Sequence, residues 1–538
     1  MFPQYMNPRR CGDIVDPMAS EATLTEAACS NPFPTVRQAG ICLHISSLPG
    51  SFGIGELGNA AKGFIDSIAD MGLSVWQILP LGPTGYGDSP YQSLSAFAGN
   101  ELLIDLQSLV DRNLLDTEEV KPLTMLPDDQ VDYASLVPVK QQLLALAAGR
   151  FLANSNASEK ADFSAFLALN DEQWLHDYAL YRVIKQQQGE QSWTCWEPQY
   201  RDRKSAAVAA LAHRETQQLL LTKVCQYFFD QQWRQIHHYA NDKGVLIVGD
   251  IPIYLAMDSA DVWSDPSLVE LDEDFNPRQI SGVPPDNYSA TGQLWGSPIY
   301  DWDLHARSGY AWWISRLAHN FRQVDLLRID HFRGLEAYWS IPAGSKDATV
   351  GEWRKGPGYD FFNAVFKAFQ DPPLIAEDLG FMTSEVDALR THYNIPGMEV
   401  IQERFNLGQS DFHSIPRRSV CYPATHDMDT CLGWFTGSPG DTRNTEEIRQ
   451  HQLEVLKVTG GNAATIADDL LNLAMSTPSD LVIATMQDYL RLGSEARFNL
   501  PGSVANNWRW RVTSEQLGEV TSDYIKALLR RHGRVYQH

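Results

Sequence analysis

Apolar residues in this chain gather into short runs rich in β-branched side chains, each separated from the next by a stretch of helical period. The first run, AGICLHISSL from residue 39, is followed by Gly/Pro/Ser turns, the helical pattern NAAKGFIDSIADMG and a second run, SVWQILPL. Strand, helix, strand at this spacing predicts a βαβ unit with parallel strands. The beat recurs in GVLIVGDIPI (244–253), VDLLRIDHF (324–332), PPLIAEDLG (372–380), GMEVIQERF (397–405), SVCYPATHD (419–427) and DLVIATMQD (480–488). With 41–46 and 75–80 this makes eight predicted strands separated by helical segments. Eight β/α repeats point to a closed (β/α)₈ TIM barrel. An open doubly wound sheet is the alternative that strand count leaves standing.

The barrel is expected to occupy 39–538, with two interruptions. Residues 105–240 are dominated by helical patterns and form a helical insertion, and 258–300 is a Pro- and Gly-rich stretch containing Trp263, Tyr288 and Trp295. A loop of that length with that aromatic content is expected to meet substrate. Residues 1–38, with Pro3, Pro8, Pro17, Pro32 and Pro34, show little periodicity and read as a loosely ordered extension.

Composition narrows the function. At 538 residues with 43% hydrophobic and 11% aromatic content the chain has material for a large core, which rules out a wholly disordered chain. Its net charge of −24 repels phosphate backbones and anionic bilayers, so neither nucleic acid nor membrane is an expected partner. Cys11, Cys29, Cys42, Cys195, Cys225, Cys421 and Cys431 include no CxxC pair, so no disulfide framework or zinc site is expected, and no metal ligand is among the candidate site residues. No secretory pattern or long apolar run appears, and the expected compartment is the cytoplasm. No cofactor is called for, and no oligomeric state follows. GIGELG (53–58) matches a dinucleotide fingerprint, but the next strand ends in Leu81 and Gly82 without an acidic residue, and nucleotide binding is rejected.

Barrel enzymes place their catalytic groups where strands end. Four of the predicted strands end in ionisable residues: Asp250; Asp330, with Arg328 two before it and His331 after; Glu377 with Asp378; and His426 with Asp427. Each alone is more often a cap or structural carboxylate, but four in register converge on one rim if the barrel closes. Carboxylates without metal-ligand spacing suit glycosidic chemistry, in which one attacks the anomeric carbon and a second, kept protonated, donates to the leaving oxygen. Arg328 lies on the same strand face as Asp330 and keeps it ionised, or is a simple strand-end ion pair.

At this point the residues resemble a known family, the 4-α-glucanotransferases called amylomaltase or disproportionating enzyme, glycoside hydrolase family 77. The resemblance rests on HISSLPGSFGIGELG, LPLGPTGYGDSPYQSLSAFAGN, VGDIPIYLAMDSADVW, SGVPPDNYSATGQLWGSPIYDWD, LLRIDHFRGLEAYWSIPA, IAEDLG, PGMEVIQ, THDMDT and GSEARFNLPGS, spread over 39–512. It implies Asp330 as nucleophile, Glu377 as general acid and then base, and Asp427 as the group gripping the donor sugar's hydroxyls with His426. It further implies Arg328 supporting Asp330, Asp250 and His331 on donor hydroxyls, and Ser89 and Tyr91 lining the donor pocket. Tyr288 and Trp295, in a loop at 281–296, would contact glucan, and Asn499 would lie on the acceptor side. The implied partners are α-1,4-glucans with glucose or maltose acceptors, and the implied reaction is retaining transfer of a glucan segment. Asn287, Met428 and Glu403–Arg404 depart from the family's usual residues. The rival readings are an α-glucan hydrolase of the amylase type and a non-catalytic glucan-binding protein.

Overall fold

The computed structural model describes residues 31–285, 289–438, 441, 443–503, 506–520 and 522–535. Its centre is a ring of eight parallel strands: β1 (Gln38–Cys42), β2 (Val75–Gln77), β3 (Leu246–Ile251), β6 (Leu326–Ile329), β9 (Leu374–Ala376), β10 (Gly397–Val400), β11 (Ser419–Tyr422) and β12 (Leu481–Thr485). They pair in the order β10-β11-β12-β1-β2-β3-β6-β9. The two ends of this list meet through the Ala376 amide, which donates to the Pro396 carbonyl at 2.9 Å. The fold is a (β/α)₈ barrel, as the alternation of strands and helices predicts, and the open-sheet alternative falls.

Each predicted run contains a strand, with boundaries shifted where local chemistry intervenes. The first strand starts at Gln38 rather than 41, because the tail of that run, Ile45–Ser47, turns as a short 3₁₀ helix. In GMEVIQERF only Gly397–Val400 is extended, and Ile401–Asn406 is already helical.

Period-two alternation divides the strand residues between two cores. Cys42, Val75, Val248, Leu326, Ile375, Met398, Val420, Tyr422, Leu481 and Ile483 fill the barrel interior. Ile41, Trp76, Ile247, Leu327, Leu374, Cys421 and Val482 face outward into the helix layer. Gly40 is required by this packing, since a Cβ there would stand 2.6 Å from the Val75 carbonyl oxygen.

Two features differ from the sequence expectation. Residues 31–37 are packed onto the barrel: Phe33 is buried among the interior residues, the Asn31 amide donates to Pro372 O, and Arg37 donates to the carbonyls of Met475 and Thr477. The stretch 258–300 is largely ordered, and holds β4 (Gln279–Val283) and β5 (Gln293–Pro298). These join β7 (Ala337–Pro342) and β8 (Glu352–Lys355) in an antiparallel sheet ordered β5-β4-β7-β8. Between β2 and β3 run helices from Leu106–Asp111 to Thr216–Asp242, the last of which buries Trp233 and Ile236 and leads directly into β3.

Candidate active site

The C-terminal ends of β3, β6, β9 and β11 deliver the ionisable residues to one end of the barrel. Asp250 and Arg328 are paired in register on β3 and β6, and both are almost fully buried. One terminal nitrogen of Arg328 donates to both Asp250 oxygens, at 2.8 and 2.6 Å, and lies 3.0 Å from Asp330 Oδ1. Burial alone would lower the guanidinium's pKa, but Asp250 and Asp330 outweigh it and hold it well above its ordinary value. Arg328 therefore carries a permanent charge between two carboxylates.

Asp330 and Glu377 follow neighbouring strands at the same level. Ile329 pairs with Ala376, the Glu377 amide donates to Ile329 O at 3.0 Å, and the Phe332 amide donates to Glu377 O at 3.0 Å. Adjacent strands lie about 4.8 Å apart. His331 adopts a left-handed backbone, φ 51°, uncommon outside glycine and seen at turns and strained sites. That turn sends its amide to Glu377 Oε2 at 2.6 Å, while the Leu379 amide donates to Oε1 at 3.1 Å. The Glu377 carboxyl is thus aimed by main-chain groups on both of its oxygens.

The third carboxylate reaches the same network through aromatic and amide groups. The Tyr91 hydroxyl donates to Asp250 Oδ2 at 2.7 Å and lies 2.7 Å from His426 Nε2. With its proton committed to Asp250, the Tyr91 oxygen accepts from His426 Nε2–H, which assigns the tautomer. The same nitrogen lies 3.2 Å from Asp427 Oδ2, and Asn499 donates to Asp427 Oδ1 at 2.7 Å. Tyr91 and His426 stack with rings 4° apart and centroids 5.5 Å apart.

Titration behaviour separates the carboxyls. Burial pushes Asp330 above the ordinary carboxylate range, reinforced by Asp250, Glu377 and Asp427 and opposed by Arg328. Burial also pushes Glu377 up, against Arg328 and the two amides. Asp427 moves the other way: burial is overcome by His426, Asn499 and Arg328, which hold it well below the usual range. Its side chain is 38% exposed and that of Asp330 26%, whereas Arg328, Asp250, His426 and Asn499 are buried behind them. The groups open to a ligand are the carboxyls, and the supporting groups are closed.

Of the remaining sequence candidates, Trp295 on β5 meets His331 edge-on at 4.7 Å. His331 is buried and neutral, its pKa driven to about 3 by burial and Arg333, and its Nε2 has no protein partner among the described residues. Ser89 touches the site only through Tyr91, whose amide donates to its hydroxyl at 3.2 Å. Tyr288 lies outside the described residues.

Sequence reasoning missed two contributors. Trp508 closes the aromatic wall, 5.7 Å from Tyr91 and 6.4 Å from His426. Arg497 donates to Asp427 O at 3.2 Å and to Asn499 O at 2.8 Å. Arg497 sits inside the matched block GSEARFNLPGS and was open to notice; Trp508, in a left-handed turn at φ 64°, belongs to no periodic run. His44, buried just after β1, accepts from the Leu79 amide at 3.3 Å and is driven to about pKa 3 by burial and nearby His426. No group of three or more His, Cys, Asp or Glu side chains is arranged so that it could hold a metal ion among the described residues.

The sequence model described as 4-alpha-glucanotransferase matches residues 43–516. A 4-alpha-glucanotransferase of Streptococcus pneumoniae is 42% identical over 504 residues, covering 93% of this chain and 98% of the relative. One from Synechocystis is 40% identical over 508 residues, covering 93% and 99%. Among solved structures, the amylomaltase from Streptococcus agalactiae in complex with acarbose superimposes with a TM-score of 0.86 at 34% identity, covering 93% of this chain and all of that one. The barrel, the convergent carboxyls and these matches together place the chain in the 4-alpha-glucanotransferase family.

Proposed function

We propose that the enzyme moves a segment of an α-1,4-glucan to the 4-hydroxyl of another glucan, glucose or maltose by retaining double displacement, with Asp330 as nucleophile and Glu377 as acid and base. The observation that carries this assignment is the placement of Asp330 and Glu377 on paired strand ends, with Arg328 against Asp330 and main-chain amides aiming Glu377. Backbones about 4.8 Å apart on neighbouring strands put the two carboxyls at the short range of separations over which retaining chemistry, with its roughly 5–5.5 Å between carboxyls, operates.

In the first step Asp330 Oδ attacks the anomeric carbon, the glycosidic C–O bond breaks, and Glu377 gives its proton to the departing oxygen. The two raised carboxyls bind a proton as a unit. The guanidinium 3.0 Å from Asp330 biases that proton toward Glu377, which leaves one group ionised to attack and one protonated to donate. In the second step Glu377 takes the proton of an incoming 4-hydroxyl, whose oxygen displaces Asp330 and restores the α configuration. Asp427, held ionised, accepts from ring hydroxyls of the donor sugar as positive charge develops. Transfer outcompetes hydrolysis when a sugar hydroxyl is better placed than water, an effect of orientation and of water exclusion by Trp295 on β5.

Incubation with maltotriose alone tests the proposal. Transfer gives glucose together with oligomers longer than the substrate; a rise in reducing ends without longer products would establish hydrolysis instead. Asp330→Asn is expected to abolish turnover and keep glucan binding, and normal turnover in that variant would remove Asp330 from the reaction.

A further inference from the structure

Beyond the carboxyls the rim carries an aromatic step that the proposed reaction has not used. Phe381 is 63% exposed and Trp353 37% exposed, and their rings lie 6.1 Å apart at an interplanar angle of 21°. Large apolar faces in water are costly to maintain without a function, yet both rings are braced. The buried Arg333 stacks its guanidinium on Trp353, 3.8 Å from the ring centre, stands 5.7 Å from that of Phe381, and donates to the carbonyls of Phe381 and Ala337. Trp353, on β8, pairs in register with Trp339 on β7, the rings meeting at 5.3 Å.

The step is continuous with the site. Arg333 lies two residues after His331, whose amide holds Glu377, and Phe381 lies four residues after Glu377 itself. Four residues of chain span at most about 14 Å, so the step begins within a few sugar units of the acid/base. The general acid must touch the oxygen joining the donor sugar to the part that leaves. The wall continuing outward from Glu377 therefore flanks the leaving and accepting chain, whereas Asp427, backed by the buried His426, Tyr91 and Asp250, lies on the donor side. A glucan presents apolar C–H faces to such rings, and as a neutral ligand it meets no repulsion from a chain of net charge −24.

We propose that Trp353 and Phe381, braced by Arg333, form a binding platform for the acceptor glucan that favours long acceptors over glucose. The inference rests on the transfer reaction proposed above and adds to it the residues that select acceptor length.

α-Maltotriosyl fluoride as donor isolates the acceptor side, because its leaving group is fluoride and places no sugar there. With glucose and maltotetraose compared as acceptors, Phe381→Ala and Trp353→Leu are each expected to lower kcat/KM for maltotetraose about fivefold more than for glucose, the size of one aromatic contact. Phe381→Tyr should restore the preference. Equal losses for both acceptors would show that the stack only supports the loop holding Glu377, and no loss for either would show that it is idle; both overturn the platform. If neither acceptor accelerates fluoride release by the native enzyme and no longer products form, the transfer reaction itself fails and the platform fails with it. The two failures are thus distinguishable.

Discussion

Arg328→Met tests whether the charge between Asp250 and Asp330 organises the site. The guanidinium nitrogen sits 2.6 Å from Asp250 Oδ2 and 3.0 Å from Asp330 Oδ1. At an effective dielectric constant of about 20, Coulomb's law gives roughly 5 kcal/mol for a pair at 3 Å. Most of this repays desolvation, but removing one partner leaves the other buried and uncompensated, at a cost of about 3–5 kcal/mol. Methionine keeps the apolar stem, which already packs by Met398, whose sulfur lies 3.4 Å from Arg328 Nε. Asp250 has the Tyr91 hydroxyl as its other side-chain partner, so adding Asp250→Asn should recover at least half of the loss in denaturant unfolding.

The same substitution acts on the reaction with a definite sign. Arg328 opposes the forces that raise Asp330, so without it Asp330 ionises only at higher pH. The acid limb of kcat/KM for maltotriose should move to higher pH, with a loss of about a hundredfold at neutrality, equivalent to roughly 3 kcal/mol. An acid limb that stays in place, or an Asp250→Asn change that weakens Arg328→Met further, would refute the assignment of Arg328 as the charge that poises Asp330.

Two further substitutions probe the edges of the design. Asn499→Ala removes the amide on Asp427 Oδ1 and should cost about 1 kcal/mol at pH 7, allowing for that carboxylate's partial exposure. Because Asp427 is held well below its ordinary value, chiefly by His426, its contribution is full above the unfolded pKa of about 3.9 and is lost only as pH falls through the depressed folded value; the penalty of the variant should therefore be nearly the same at pH 7 and pH 4, and a penalty that vanishes by pH 4 would contradict this. Phe33→Ala opens a hole in the barrel interior and is expected to cost about 3–5 kcal/mol, with the thermal midpoint falling while the transfer rate at 25 °C stays near native. An unchanged midpoint would mean that residues 31–37 add nothing to the barrel.

The barrel was legible because each strand is a short β-branched run between helical segments, a pattern set by burial on both faces of a parallel sheet. The candidate catalytic carboxyls were legible because a charge ending an apolar strand is conspicuous. The antiparallel sheet was not. β4 and β5 are broken by Gly282 and Gly296, with β5 ending at Pro298, and β8, EWRK, has no buried residue to create a pattern. Residues 31–37 escaped because a single aromatic anchor, Phe33, carries no period. Trp508 reaches the site from a turn, and only tertiary packing shows where its ring goes.

Seven neighbouring strand pairs are joined as ladders, whereas β9 and β10 meet at Ala376 N–H with Pro396 O and at Asp378, whose Oδ1 accepts the Met398 amide at 2.6 Å. Asp378 directly follows Glu377, and burial raises its pKa to about 7. The cylinder is therefore fastened, beside Glu377, by a side-chain clasp instead of a full run of backbone hydrogen bonds. One carboxyl thus does two jobs at the seam, closing the ring onto Met398 with one oxygen and tying it to the outer helix through Arg390, 2.8 Å from the other.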